Sequence, residues 1–224
     1  FSSGIFNVRN RDVYSMNDHP VVEVSWYGAT AFCKHYDYRL PTEWEWQAVA
    51  DYDGSFDYGC GTTLDHNKAN YDDNNPLYLS SFPYTTPVDF FETTGPGPYG
   101  YGLCDMAGNA WEWTASCYYT GCQPNDRVHR GGSFHSSKEN CDVSYRSHSH
   151  PDPNTRGPGV GFRVCRYVKP PQGIEWVYID DSGVDEDGDG TPDHKGFTGY
   201  MSKYETTNAQ YCEFLNSALA SGDI

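Results

Sequence analysis

The stretch "RVHRGGSFHSSKENCDVSYRSHSH", residues 127–150, gathers His129, His135, His148 and His150, a run of serines and Cys141. Imidazole nitrogen and thiolate sulfur together suit a transition metal. His148 and His150 alternate, so on a strand they face one side, and with Cys141 they would make a mixed N/S site. The bland alternative is an HxH pair on an ordinary surface. Ser133 and Ser136 are hydroxyl nucleophiles, but no base with an orienting third group accompanies them, as nucleophilic catalysis requires. A second stretch, "DEDGDGTPD", alternates Asp185, Asp187 and Asp189 before Gly190, then adds Thr191 and Asp193. Carboxylates this dense repel one another unless a hard cation sits among them. Their spacing follows the first half of an oxygen-rich Ca²⁺ loop. Gly196 holds the twelfth position, so the closing glutamate of an EF-hand is missing. Calcium is the expected ion, as in aspartate-rich repeats of extracellular proteins; the alternative is a solvated acidic loop.

These groups need a scaffold, and 224 residues suffice for one large domain or two small ones with a real core. Aromatics are 16% of the chain, so that core is built from Trp, Tyr and Phe more than from Leu and Ile. With 23 glycines and 14 prolines the chain is rich in turns. A formal charge of −16 disfavours nucleic acid and anionic membranes and favours recruitment of cations. No apolar run approaches the roughly 18 residues of a membrane span. Eight cysteines in a loop-rich acidic chain point to an oxidising compartment, extracellular or at the cell surface. The chain starts at Phe1 without a methionine, which reads as processing or as a fragment.

The elements follow from pattern. "HPVVEVSW" reads as a strand entering the core. Ala29, Phe32, Cys33 and Tyr36 have helical spacing. Thr42 and Glu45 form a capping box for the next helix, with Trp46 and Val49 buried. Residues 52–101 lose periodicity but hold too many aromatics for disorder. "GLCDMAGNAWEWTAS" and "RVHRGGSFHSS" predict short strands and tight turns, and "GVGFRVCRYV" a closing strand. "KPPQ", residues 169–172, reads as a linker. "IEWVYID" predicts a strand, residues 181–193 an acidic loop, and residues 207–220 a helix. Thr207 and Gln210 box that helix, and Tyr211, Phe214, Leu215, Ala218 and Leu219 form its apolar stripe.

Five segments, "HPVVEVSWYGATAFC", "RLPTEWEW", "YGLCDMAGNAWEWT", "RVHRGGSF" and "GVGFRVCR", together resemble the formylglycine-generating enzyme family, the sulfatase-modifying factors. They match in order and spacing over most of residues 15–166. The resemblance implies an α+β, C-type-lectin-like fold, loop-rich with short twisted sheets and few helices. "GYMSKYETTNAQYCEFLN" resembles the same family, but there it opens the domain. Residues 1–168 thus form the main body, and 173–224 resemble its missing beginning. That segment completes the same domain in cis or a neighbour's in trans. The order can reflect circular permutation, one frame of a tandem array, or two fragments numbered out of order. Exchange in trans would be head-to-tail and filament-forming.

Enzymes of this family oxidise a substrate cysteine to formylglycine with oxygen and copper, the metal being held by two cysteines after "RGGS". The resemblance carries those positions onto Ser136 and Cys141. A serine hydroxyl is a hard, poor ligand for Cu(I), so copper is not expected. If the chain were active, Cys141, Ser136 and Ser133 would be the residues involved. The family's "GL-N/D-x-x-x-G-N-x-W-E-W" calcium site carries over to Asp105, Gly108, Ala110 and Glu112, the alternative being Glu112 paired with an arginine. A further family site carries over Asn70 and Tyr71, but its later acidic ligand falls on Ser80. The family also pairs a cysteine at Cys33 with one in the closing strand, where Cys165 sits one residue late. Cys117 and Cys122 bracket "YYTG" as a local pair, leaving Cys60, Cys104, Cys141 and Cys212 with three connectivities. The leading expectation is an extracellular, calcium-binding, non-catalytic module for assembly or binding, with self-association. The rivals are an active oxidase with altered metal ligands and a lectin-like module binding a glycan. The lectin signatures for sugar-bound calcium are absent.

Overall fold

The computed structural model describes residues 8, 10–94, 99–119, 126–151, 157–167, 174–180 and 197–222. Along the chain come helices α1 (Trp26–His35), α2 (Glu43–Ala50) and α3 (Phe90–Thr94). Strands β1 (Trp111–Cys117) and β2 (Arg127–Arg130) follow, then a 3₁₀ turn over Lys138–Cys141. After it lie β3 (Ser147–Ser149), β4 (Val160–Gly161), β5 (Cys165–Arg166), β6 (Trp176–Asp180) and β7 (Thr198–Ser202), and finally α4 (Asn208–Ser221). The strands make a four-stranded sheet ordered β3-β2-β1-β4 and a three-stranded sheet ordered β5-β7-β6. This is an α+β fold with few helices and long packed loops.

Local chemistry explains the helix starts. The Ser25 side chain accepts from Gly28 N at the head of α1. Thr42 with Glu45 and Thr207 with Gln210 form complete capping boxes at α2 and α4. Gly222 closes α4 in the left-handed region at φ 80°. Trp46 and Val49 are buried as their spacing predicts.

The late segment is woven into the body of the chain. Phe214 meets Phe32 edge-on at 5.5 Å, and Tyr211 stacks on Phe32 at 6.0 Å. Phe162 packs against Phe32 at 5.3 Å from the other direction. Strand β7 pairs with β5 through Cys165 opposite Met201, and with β6 through Val177 opposite the same residue. Thr206 N donates to Phe162 O at 2.8 Å, and Val21 N donates to Thr206 O at 2.8 Å. The described residues of the late segment, 174–180 and 197–222, therefore pack on the core around Phe32, Phe162 and Cys165.

Two expectations need correction. "HPVVEVSW" is not a strand: Pro20 makes only an isolated bridge to Thr207, Glu23 sits at φ 60°, and Ser25 already caps α1. The closing segment divides into β4 and β5, which serve different sheets. Cys33 and Cys165 are free thiols. Cys33 packs around Phe32 and Trp113, whereas Cys165 belongs to the cluster around Trp46, Ile179 and Met201.

Candidate functional site

Strand β2 delivers the "RGGS" turn, where Gly131 and Gly132 adopt φ of 94° and 77°, a region that disfavours a side chain. The turn then closes on itself. Ser133 N donates to Ser136 Oγ at 2.9 Å, and the two serine hydroxyls share a hydrogen bond at 3.1 Å. Ser136 N donates back to Ser133 O at 2.9 Å. Both serines are buried. Cys141 ends the 3₁₀ turn wholly buried, with its thiol directed to Ser137 O at 3.7 Å. Burial pushes that thiol up to about 12, and nearby Cys60 adds to the shift, so Cys141 stays protonated near neutrality. The pair at the copper positions is thus a committed serine and a buried neutral thiol. These residues do not fit a Cu(I) site of two thiolates.

The four histidines disperse. His129 is buried and its Nε2 shares a hydrogen bond with Ser149 Oγ at 3.1 Å; burial lowers its pKa to about 3, so it is neutral. His135 is exposed and pairs with Asp73 at 2.8 Å. His148 pairs with Asp126 at 3.2 Å and lies against Tyr118, with ring centroids 4.0 Å apart. His150 is partly buried beyond β3. The mixed N/S site is not assembled: among the described residues no three His, Cys, Asp or Glu side chains are placed to hold a metal.

A polar layer lies under the "DMAGNAWEW" turn. Arg163 grips Glu112 with two bonds, Nε to Oε2 at 2.7 Å and Nη2 to Oε1 at 2.6 Å, both side chains fully buried. Trp46 Nε1 adds a third bond to Glu112 Oε2 at 2.7 Å. Arg163 also donates to the carbonyls of Cys104, Ser202 and Lys203. Glu112 is therefore engaged as the partner of an arginine instead of standing free for calcium. Ala110 N donates to Glu205 Oε1 at 3.1 Å, while Gly108 N donates to Gly131 O at 2.8 Å. Asn109 Nδ2 donates to Glu205 Oε2 at 3.0 Å.

Asp105 is the anomaly. Neither of its carboxylate oxygens has a hydrogen-bond partner, and both are buried. Burial raises its pKa to about 8, opposed by Arg163 and reinforced by Glu112 and Asp89. Glu205 is raised too, first by burial and then by Asp105 and Glu112. Three buried carboxylates thus face one guanidinium. Sequence reading missed Glu205. Its only signal was its place just before the Thr207 cap, and nothing in the spacing ties it to Asn109, 96 residues away.

The other expected sites are partial. Asn70 Nδ2 donates to Tyr84 O at 2.7 Å and its Oδ1 is buried without a partner, while Ser80 is exposed and donates its N–H to Asp12. The loop bearing Asp185, Asp187, Asp189, Thr191 and Asp193 lies outside the described residues. Cys117 is disulfide-bonded; Cys122 lies outside the described residues. No helix among the described residues is long and apolar enough to cross a membrane.

One small mixed sheet, one antiparallel sheet, capped helices and long packed loops around the Glu112–Arg163 pair define a domain of the formylglycine-generating type. Residues 4–168 match the sulfatase-modifying factor enzyme 1-like domain, and the chain belongs to that family. It is 32% identical over 178 residues to the formylglycine-generating enzyme of Bos taurus, covering 66% of this chain and 44% of that one. It is 34% identical over 173 residues to the inactive C-alpha-formylglycine-generating enzyme 2 of Bos taurus, covering 70% and 53%. Over 166 residues it is 32% identical to the serine/threonine-protein kinase pkn1 of Chlamydia pneumoniae, covering 67% and 24%. The chain thus spans about half the length of these relatives, or less. Among solved structures, Treponema denticola variable protein 1 superposes with a TM-score of 0.55 at 24% identity, over 72% of this chain and 76% of that one, a likeness of fold.

Proposed function

We propose that this chain is a non-catalytic, calcium-stabilised module of the formylglycine-generating fold, extracellular or at the cell surface, used for binding or assembly. The observation that carries the reading is the closed Ser133–Ser136 turn beside a buried Cys141. A hydroxyl already bonded within its own turn and a thiol held protonated by burial supply no soft metal pair. The relatives include a protein named as an inactive formylglycine-generating enzyme, which is consistent with a fold retained without its chemistry. The unpartnered Asp105 carboxylate favours a hard cation among oxygen ligands, and Glu205, which Asp105 raises, is an acid to join it; calcium there would supply charge that Arg163 alone does not. Eight cysteines and the Asp185–Asp193 loop support an oxidising, calcium-rich setting. A competition titration with a Cu(I) chelator tests the reading. The expected result is no tight copper uptake; tight uptake that disappears in Cys141→Ala would contradict it.

A further inference from the structure

Cys60 and Cys141 are two buried thiols that no family pairing assigns, and the backbone brings them to one place. Tyr58 and Asp142 face each other in an antiparallel bridge, and Val143 N donates to Asp57 O at 2.9 Å beside it. Cys60 lies two residues after Tyr58 and Cys141 one residue before Asp142, so in antiparallel pairing both advance to the same side of that bridge. The Tyr58–Gly61 turn, closed by bonds of 2.9 and 2.8 Å, folds Cys60 back over it. Both thiols then enter one buried cluster with Leu64, Ala69, Tyr71 and Ala107. Both thiols are free in this structure, Cys60 Sγ directed to Thr63 O at 3.8 Å and Cys141 Sγ to Ser137 O at 3.7 Å, and they lie close enough that Cys60 raises the Cys141 thiol.

We infer that Cys60 and Cys141 form a disulfide when the chain folds in an oxidising compartment, which ties the 3₁₀ turn to the Tyr58–Gly61 turn. This rests on the non-catalytic reading and deepens it, because the cysteine at the family's catalytic position becomes a structural bond. The oxidant is a small-molecule disulfide. One protein thiolate attacks its sulfur and releases one small thiol; the second protein thiolate displaces the other. Two S–H bonds are lost, one S–S bond forms, and the two electrons leave with the two small thiols. Burial holds both thiols near 12 in the folded chain, so the bond closes during folding and resists exchange afterwards.

The test folds the full chain in a glutathione redox couple, alkylates remaining thiols after denaturation, and maps peptides without reduction. The expected product is a peptide pair joined through Cys60 and Cys141. In Cys60→Ala, Cys141 should gain an alkyl group that it lacks in the parent. The parent map decides by itself, whether or not that variant folds. Alkylation of both cysteines in the folded parent, or a link from either to Cys104 or Cys212, overturns the inference. Free thiols without any conversion of a sulfatase-type peptide would remove only the disulfide; conversion of the peptide would remove the non-catalytic reading itself.

Discussion

At the scale of single residues, the chemistry is decided by what each polar atom is already bonded to. Ser136 is spent on Ser133, Glu112 on Arg163 and Trp46, and His129 on Ser149. The Glu112–Arg163 pair is fully buried, so Arg163→Ala leaves a carboxylate without its counter-charge. The expected cost is about 3–5 kcal/mol in a urea melt, with Arg163→Lys intermediate. Asp105 sets the pH dependence. Burial lifts its folded pKa to about 8, well above the ordinary carboxylate range of the unfolded chain, so folding favours its protonated form. That stabilisation is complete below the unfolded value, is lost as pH rises between the two, and is gone above the folded value. In chelator, the unfolding midpoint should therefore fall from mildly acidic to mildly alkaline pH, and Asp105→Asn should flatten the slope. With calcium bound, the ionised carboxylate is the stabilised form and the dependence should weaken or reverse. An identical pH profile in wild type and Asp105→Asn would remove the assignment.

At the scale of elements, capping boxes and apolar spacing were legible because both are local. Thr42–Glu45 and Thr207–Gln210 lie three residues apart, and the α4 stripe can be read with no knowledge of its partner. What could not be read was non-local. Nothing in "GVGFRVCRYV" says that its halves join different sheets, and nothing near Glu205 says that it reaches the amide of Ala110. Residues 20–24 alternate like a strand, yet a positive φ at Glu23 and the Ser25 cap commit them to a loop. The carried-over ligand set contains Asp105, whose carboxylate oxygens are buried without a partner, and Glu112, which is bonded to Arg163. Because Phe214 is buried against Phe32 and His35 of α1, Phe214→Ala should cost about 3–5 kcal/mol. Thr207→Ala, which removes only a cap, should cost about 1 kcal/mol. Equal effects would mean that α4 is held by its cap and not by its stripe.

At the scale of the whole molecule, the order of segments is the unusual feature. The part that resembles the family's opening stands last, yet β7 lies between β5 and β6, and α4 covers Phe32 and Phe162. Residues 1–168 alone would expose that aromatic surface. Such a truncation should lose cooperative melting and bind a hydrophobic dye, whereas a native-like melt would show that the late segment is dispensable. A net charge of −16 makes the intact chain sensitive to cations. A ligand that binds only the folded state adds about 2.7 kcal/mol at 100-fold excess over Kd, so chelation should lower the thermal midpoint by several degrees. The central claim, a family fold without the family's reaction, is tested most directly by turnover. The full chain is incubated with Cu(I), oxygen and a sulfatase-type cysteine peptide, and the peptide is read by mass. The account predicts an unmodified cysteine at every time point; conversion to formylglycine at the rate of an active family member would contradict it.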